Sequence, residues 1–476
     1  MALTIFIIYF GGLLIAGPLA AKLMKKKDSS DYILAGRQVP TWLVTGGIVA
    51  TLINSATLLG YGGSGYSLGI TAYFSSMGFV AILIWVGRYF IPRLRKAGIM
   101  TVPELFSRMF GWQHKVVSVI LVMARDMGVT AGAAIGMAVV LGSVFDISTD
   151  LALVITVFVT LFFTVTGGMW AVMITDTIQS LVLLVGTTIL IPLAIAYIGG
   201  WDVLVDAIPE THSDMWFAGL PQIAGWILLG AFTTIAYQTL IQRGLSAESD
   251  KAAQDGFTYA GIITIIWYMV PFFIGTIAVV IFPDITPDEA FLSVTQLFGA
   301  IGSIVFAVVI VSSCISTLSS TVLTTASNIS HDIYKQWINR DASEKSVVLV
   351  SRISVVVVAI SGALIARSLP YILELLLTGG RIMASSLSPV LLLIVFWKRA
   401  RRAYYSSIIA MLAGALVTVT MIIIGEQLGA GEGSVVFVWA IDPVLIGIPV
   451  TALFMVICTF IETRGWKDSG KVEAAE

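Results

Sequence analysis

Long apolar runs separated by short polar loops make up almost the whole chain. About thirteen of these runs reach roughly 20 residues, the length that a helix needs to cross a bilayer. They lie near residues 3–23, 41–67, 70–96, 115–143, 149–167, 172–199, 219–241, 257–283, 297–328, 346–366, 370–397, 404–425 and 434–461. No stretch between them is long enough for a soluble domain. The pattern therefore predicts an all-α integral membrane protein in which residues 1–476 form a single membrane domain.

The composition supports the same class. Hydrophobic residues make up 58% of the chain and charged residues only 12%, against about 25% charged residues in a typical soluble domain. The two cysteines lie in apolar runs, and the three histidines lie at segment ends or in loops. These positions argue against a disulfide framework and against a histidine metal centre inside the membrane.

The basic residues define an orientation. Nearly all of the 27 Lys and Arg residues, Arg243 among them, fall in or beside loops on one side of the predicted membrane. Loops 144–148, 200–218, 284–296 and 426–433, on the other side, contain none. By the positive-inside rule the basic side is cytoplasmic. We therefore expect a multi-pass protein of the inner (plasma) membrane with its N-terminus outside and its C-terminal tail, 462–476, in the cytoplasm.

Two arginines depart from this distribution. Arg125 and Arg381 lie about ten residues into their segments, which at 1.5 Å rise per residue is near the bilayer midplane. A charge at that depth is costly and usually functional. A third exception, Arg367, lies at an outer helix end, from which its side chain can reach the interface.

The ninth segment carries an unusual number of hydroxyl groups. In residues 310–332, IVSSCISTLSSTVLTTASNISHD, helical spacing places five of them on one stripe: Ser313, Ser316, Thr317, Ser320 and Thr324. Hydroxyl oxygens, together with backbone carbonyls freed by a broken helix, are ligands for a small hard cation such as Na⁺. The alternative is that these small residues only pack helices closely.

Two segments are predicted to be interrupted in mid-membrane. In the second, Asn54, Ser55 and Thr57 precede a glycine-rich run; in the seventh, Thr233 to Gln238 interrupt the apolar pattern. Broken helices five segments apart suggest an inverted repeat, with 41–199 as the first half and 219–397 as the second. Residues 1–40 then form a first helix and loop, and 404–461 two additional helices. A small-residue packing face is the alternative.

A carboxylate follows the glycine turn between the fifth and sixth segments. The sequence TGGMWAVMITDTIQ places Asp176 just inside the next helix, among Thr175, Thr177 and Gln179. Such a group is either a second cation ligand or an acid that complements a helix N-terminus.

Four separated patterns resemble the sodium:solute symporter family. They are DYILAGRQVPTWL with INSATLLGYGGSGYSLGI, then TGGMWAVMITDTIQ, then YQTLIQRGLSAES, and finally ISTLSSTVLTTASNISHDIYK. Their order and spacing agree with the family from about residue 2 to 462. The resemblance implies a leucine-transporter-type core of five plus five inverted helices that works by alternating access.

The same resemblance implies two sodium sites. The main site would comprise the backbone carbonyls of Ala50 and Ile53 with the side chains of Ser313, Ser316 and Thr317. A second would use Asp176 with Ser316, Ser319 and Ser320. We therefore expect two sodium ions in each transport cycle.

The expected solute site lies outward of the sodium ions, against the broken second helix. The candidate solute-binding residues in this region are Asn54, Ser55, Thr57, Ser76, Arg125, Phe232, Tyr237, Gln238 and Arg381. Sugar-transporting members carry Gln and Glu where Ala56 and Thr57 stand here, which argues against a sugar.

The two midplane arginines suit a carboxylate, which a guanidinium group holds with two hydrogen bonds. Internal ion pairing is the alternative. Neighbouring residues on a helix do not face each other, so Arg125 and Asp126 are expected to pair poorly. Glu374 is the candidate partner for Arg381.

These observations predict a sodium-driven symporter for a small carboxylate-bearing solute, such as an organic acid, an amino acid or sialic acid. We expect it to act as a monomer in the lipid bilayer, with no nucleic-acid partner. The alternatives are a neutral solute such as a sugar or vitamin, or a sodium-responsive channel or sensor. An enzyme is disfavoured because H-E-x-x-H does not occur, no histidine lies at mid-membrane depth, and the polar groups there are hydroxyls without a base.

Overall fold

The structure, a computed structural model, describes residues 2–368, 372–427 and 441–464. Over these residues the chain is helical throughout and contains no β-strand. This is what a bilayer requires, because a helix satisfies its own backbone hydrogen bonds where no water is present.

The first half of the chain contains ten α-helices. A π-helical turn, Val86–Phe90, joins the fifth to the sixth. In chain order they are α1 Ala2–Ala21, α2 Ser29–Leu34, α3 Thr41–Leu52, α4 Ser55–Leu68, α5 Phe74–Trp85, α6 Ile91–Lys96, α7 Val102–Phe110, α8 Trp112–Phe145, α9 Thr149–Thr188 and α10 Leu190–Ile198.

The second half follows a short outer connection. A π-helical extension, Asn328–Ile338, continues the long central helix α18 toward the basic side. The helices are α11 Trp201–Ala207, α12 Glu210–Ser213, α13 Leu220–Ala236, α14 Gln238–Ser246, α15 Asp250–Trp267, α16 Met269–Ile281, α17 Ala290–Gln296, α18 Gly299–Ser327, α19 Glu344–Ser368, α20 Ile372–Phe396, α21 Tyr404–Gln427 and α22 Val444–Glu462.

The described part of each predicted segment falls on helix, and the starts of 370–397 and 434–461 lie outside the described residues. Within the described ranges, ten helices are long and apolar enough to cross a membrane, or eleven if the bent pair α13 and α14 is one crossing. The predicted fifth and sixth segments are merged in α9, which is interrupted at Gly168 with φ 49° and ψ −141°. Thirteen separate crossings and the inverted repeat therefore stay predictions.

The helix α18 lies at the centre of the bundle. In the span Gly302–Ile338, which contains most of α18, 72% of the residues in the most apolar stretch are buried inside the protein. The corresponding share for α1, at the periphery, is 17%. It packs against α8 and α9 along its length and also contacts α3, α4 and α14. Its hydroxyl-rich sequence is thus surrounded by protein and does not face lipid.

On the side that carries the basic residues, the start of α7 is fastened to the extension of α18. Thr101 Oγ1 donates to Asp332 Oδ1 at 2.9 Å, and Glu104 Oε2 lies 3.1 Å from His331 Nε2. Burial raises the pKa of Glu104, but the contacts with His331, the Met100 amide and Arg108 outweigh it, and the pKa falls to about 2. Glu104 is therefore ionised at neutral pH.

The helices α4 and α16 meet backbone to backbone. A methyl group built on Gly275 would lie 1.9 Å from the carbonyl oxygen of Gly62, and one on Gly65 would lie 2.1 Å from that of Phe272. Neither distance leaves room for any side chain. Glycine at these positions brings α4, the second half of the broken helix, against α16.

We expect Gly275→Ala to destabilise the protein, because the added methyl group meets rigid backbone and the two helices must separate. Overpacking of this kind costs about 1–3 kcal/mol. Gly12→Ala on α1, where a methyl group would meet nothing within 4 Å, is the matched control. Thermal unfolding of the purified protein in detergent measures the difference, and equal melting temperatures for the two variants would contradict the packing argument.

Candidate functional site

The predicted break in the second segment is confirmed at Ile53 and Asn54. The helix α3 ends at Leu52, and Ile53 leaves the helical region with φ −92° and ψ 88°. Asn54 then caps α4: its side chain accepts from Thr57 N at 3.0 Å, and Thr57 Oγ1 accepts from Asn54 N at 2.8 Å. This reciprocal capping box starts a new helix in the middle of the bundle.

The capping box frees two carbonyl groups. In an unbroken helix the Asn54 and Thr57 amides would donate to Ala50 and Ile53, four residues earlier. Here they donate to Thr57 Oγ1 and to Asn54 Oδ1 instead. The carbonyl oxygens of Ala50 and Ile53 thus lose their helical partners.

The other two carbonyls at the break have protein donors. Tyr268, at the junction of α15 and α16, donates its hydroxyl to the Leu52 carbonyl at 2.8 Å. Asn54 Nδ2 lies 3.3 Å from the Thr51 carbonyl. The arrangement therefore satisfies Thr51 and Leu52 and leaves Ala50 and Ile53 available to a ligand.

The hydroxyl stripe of α18 is buried. Ser313, Ser316 and Thr317 are all at most 4% exposed. Ser316 Oγ and Thr317 Oγ1 both donate to the Ser313 carbonyl, at 3.0 and 2.9 Å, so their lone pairs remain free to accept a cation. Ser313 Oγ has no hydrogen-bond partner among the described residues, and this is consistent with a group that awaits a ligand.

The second predicted set of sodium ligands lies one turn further along α18. Asp176 and Ser319 are fully buried, and Ser320 is 3% exposed. Ser320 Oγ donates to Asp176 Oδ2 at 3.1 Å, and Ser319 Oγ donates to the Ser316 carbonyl at 3.1 Å. Asp176 also forms an ion pair with Arg243 of α14.

Arg243, predicted to lie in or beside a loop on the basic side, lies three residues before the end of α14. Its side chain is nevertheless only 1% exposed, because its guanidinium group contacts Asp176 of α9. The helices α13 and α14 are bent by 48° relative to each other, at the polar interruption that the sequence predicted at residues 233–238.

A cavity of about 280 Å³ lies beside the broken helix. Five predicted solute residues line it: Asn54, Thr57, Arg125, Tyr237 and Arg381. Further lining residues, which the sequence analysis did not identify, include the aromatic side chains of Tyr61, Phe79, Trp226 and Tyr268. In the sequence these aromatic residues lie within apolar segments, where nothing distinguishes a ring that lines a cavity from a ring that faces lipid.

Three predicted solute residues are not part of the cavity lining, and a fourth is not described. On α5 and α13 the neighbouring residues, Ser75 and Thr233, line the cavity where Ser76 and Phe232 were expected. One position along a helix turns the side chain by about 100°, so Ser76 and Phe232 lie beside the cavity lining and their roles stay predictions. Gln238 Nε2 donates to Asn328 Oδ1 at 2.5 Å. The side chain of Ser55 lies outside the described residues.

Both midplane arginines line the cavity and both have a carboxylate partner. Arg125 Nη1 lies 3.0 Å from Asp126 Oδ1, and its guanidinium carbon lies 3.7 Å from the centre of the Tyr237 ring. The expectation that these neighbours pair poorly was wrong, because the long arginine side chain folds back to the adjacent carboxylate. Arg381 Nε lies 3.4 Å from Asp442 Oδ2, while the side chain of Glu374, its predicted candidate, lies outside the described residues.

On the basic side of the cavity, polar side chains link α14 to α18. Thr239 Oγ1 lies 3.2 Å from Thr324 Oγ1, and Thr324 Oγ1 donates to Gln242 Oε1 at 2.9 Å. All of these atoms are buried. The contacts hold the two helices together between the cavity and the basic surface.

Solved structures of similar shape are membrane transporters. A sodium-coupled sialic acid symporter in a substrate-bound outward-open state superimposes with a TM-score of 0.80 at 20% identity, covering 97% of this chain and 96% of that one. A nucleobase-cation-symport-1 family transporter gives a TM-score of 0.67 at 15% identity, covering 95% and 98%. The fold is therefore that of the leucine-transporter-type secondary transporters.

Sequence comparisons identify the family. The model of the sodium:solute symporter family matches residues 32–414, so the chain belongs to this family. The sodium/glucose cotransporter of Vibrio parahaemolyticus is 28% identical over 424 residues, which are 79% of this chain and 76% of that protein. The sodium/proline symporter of Haemophilus influenzae is 28% identical over 455 residues, 87% of each. The chain is a sodium-coupled solute transporter of the membrane and not an enzyme.

We expect Tyr268→Phe to destabilise the protein by about 1–3 kcal/mol, because the buried Leu52 carbonyl loses its hydrogen-bond donor. Tyr73→Phe is the matched control, since its hydroxyl donates to the Ile265 carbonyl at an exposed position. Thermal unfolding in sodium-free buffer compares the two variants. A Tyr268→Phe protein as stable as the control would show that the hydroxyl does not support the break.

Proposed function

We propose that this transporter couples sodium entry to the uptake of a small carboxylate-bearing solute by alternating access. One observation carries the proposal: the α3–α4 break, which frees two carbonyl groups, adjoins a cavity lined by two arginines. The first feature offers oxygen ligands to a cation, and the second offers hydrogen-bond donors to an anion.

The main sodium site is proposed at the break. Its ligands are the backbone carbonyls of Ala50 and Ile53 with the side-chain oxygens of Ser313, Ser316 and Thr317. An all-oxygen set suits a hard cation, and two observations support it. The two carbonyls have lost their helical partners, and α18 packs against both α3 and α4.

Sodium at this site would couple ion and solute through the break. The ion would connect the end of α3 to α18, and Asn54 and Thr57 on the other side of the break line the cavity. Holding the break in one geometry therefore shapes the solute site. By linkage, the solute then tightens sodium binding by the factor by which sodium tightens the binding of the solute.

The carboxylate of the solute is proposed to bind Arg125, with Arg381 on the opposing helix. Both guanidinium groups line the cavity, whereas their partners Asp126 and Asp442 are not among its lining residues. An anion would thus meet positive charge first. Asn54 and the aromatic side chains would contact the remainder of the solute.

A neutral polar solute, such as a sugar or a vitamin, is the second candidate. The observation in its favour is that each arginine already has a carboxylate partner within the protein. A binding experiment distinguishes the two candidates, and the screen described below therefore includes neutral compounds.

We also propose that the chain works as a monomer in the plasma membrane with its N-terminus outside. Large apolar side chains are exposed on the peripheral helices, among them Ile8 at 70% and Leu416 at 68%, and these suit contact with lipid. The basic cluster at 398–402 follows α20 on the side proposed to be cytoplasmic.

We expect Thr317→Ala to weaken sodium binding. Losing an oxygen ligand worth about 1.4 kcal/mol lowers the affinity roughly tenfold. The measurement is the rise in melting temperature when sodium replaces potassium at constant ionic strength. Ser303→Ala, which removes a hydroxyl bonded to the Gly299 carbonyl of the same helix, is the control. A full sodium-dependent shift in Thr317→Ala would contradict the proposed site.

A thermal-shift screen of organic acids, amino acids, sugars and vitamins, with sodium against potassium, identifies the solute. We expect a carboxylate to give the sodium-dependent shift, and Arg125→Gln to bind it roughly ten- to a hundredfold more weakly, as for a lost hydrogen bond to a charged group. The exposed Arg88→Gln is the control.

Two results would count against this assignment. A sugar or vitamin as the best ligand favours the neutral candidate, and unchanged binding in Arg125→Gln removes Arg125 from the solute site. Accumulation of the identified solute in proteoliposomes under a sodium gradient then separates a symporter from a channel, because a channel only equilibrates.

A further inference from the structure

The guanidinium group of Arg243 contacts Asp176 and Ser320, two residues of the predicted second sodium site. Arg243 Nη2 forms an ion pair with Asp176 Oδ2 and donates to Ser320 Oγ at 2.7 Å. Asp176 and Ser320 are two of the four residues that the second sodium ion was expected to use. The cation that contacts these oxygens in the structure is therefore supplied by the protein itself.

The bundle is built to hold this side chain. Arg243 Nη1 donates to the Thr239 carbonyl at 3.1 Å, which fixes the arginine against its own helix. A methyl group on Gly47 of α3 would lie 3.0 Å from Arg243 Nε and 2.9 Å from Met173 Sδ. The absence of a side chain at Gly47 leaves the space through which the guanidinium group reaches α9.

The charges at this position balance with one cation. Asp176 is fully buried, and a carboxylate in such a place is stabilised by one opposite charge close by. A sodium ion added beside Arg243 would set two positive charges against one carboxylate in a region of low dielectric constant, where their repulsion is poorly screened. Among the described residues no cluster of three or more acidic, histidine or cysteine side chains could hold a further metal ion.

The site nevertheless keeps oxygen ligands if the arginine is removed. Asp176 Oδ1 is buried with no hydrogen-bond partner in the part of the chain that the structure describes. Together with Asp176 Oδ2 and the Ser320 hydroxyl that contacts it, this oxygen suits sodium once the guanidinium charge is gone.

We infer that Arg243 is a tethered cation that takes the place of the second sodium ion at Asp176 and Ser320, so that the transporter binds one sodium ion per chain. The inference rests on the proposed main site at Ala50, Ile53, Ser313, Ser316 and Thr317, which supplies that one ion. It replaces the expectation of two sodium ions with one sodium ion and one resident guanidinium group.

Equilibrium binding of radioactive sodium to the purified full chain, at constant ionic strength with potassium, tests the inference. Wild-type protein is expected to bind one ion. Arg243→Gln is expected to bind two, because Asp176 then lacks a counter-charge, and Arg243→Lys is expected to bind one, because it keeps a tethered cation. Arg367→Gln, which removes an arginine from an exposed ion pair with Asp150, is the matched control and is expected to bind one.

Each outcome decides a separate point. Two ions bound by wild type, or two by Arg243→Lys, would overturn the inference and leave the main site intact. One ion bound by a folded Arg243→Gln, judged by size-exclusion chromatography, would also overturn it. If Arg243→Gln does not fold, the numbers of sodium ions bound by wild type and by Arg243→Lys still test the inference. No sodium bound by wild type would instead refute the proposed main site.

Discussion

A backbone carbonyl in the middle of a bilayer has no water to accept from, so a helix that stops there needs another partner for each group it exposes. The α3–α4 break meets this requirement in two ways. The carbonyls of Thr51 and Leu52 receive donors from Asn54 and Tyr268. Those of Ala50 and Ile53 have lost their helical donors in a region where the hydroxyl-bearing helix α18 packs against both α3 and α4, and oxygen groups of this kind suit a hard cation.

The remaining architecture keeps this break in position. The helix α18 must lie at the centre, because only there do its hydroxyl groups meet protein on every side. The glycines of α4 and α16 bring the second half of the broken helix into backbone contact with its neighbour. Tyr268 ends α15 against the break, so the packing of the second half of the chain supports a discontinuity in the first.

The sequence alone predicted the features that depend on local pattern. Apolar length located the helices, and the polar interruption of the second segment located its break, because both are properties of a short stretch of chain. It failed where distant parts of the chain meet. Helix rotation places Ser75 and not Ser76 in the cavity lining, Arg243 is buried by its contact with Asp176, and Asp442 reaches Arg381 from sixty-one positions away. Which side chains meet in this way depends on the whole bundle and leaves no local signature.

The pairing of each cavity arginine with a carboxylate sets the charge of the cavity wall in the absence of a ligand. Because Asp126 and Asp442 balance Arg125 and Arg381, the proposed cycle would carry no net charge from these four groups through the membrane's electric field when the carrier returns empty. The sodium ion and the solute would then be the charges at this site on which the membrane voltage acts.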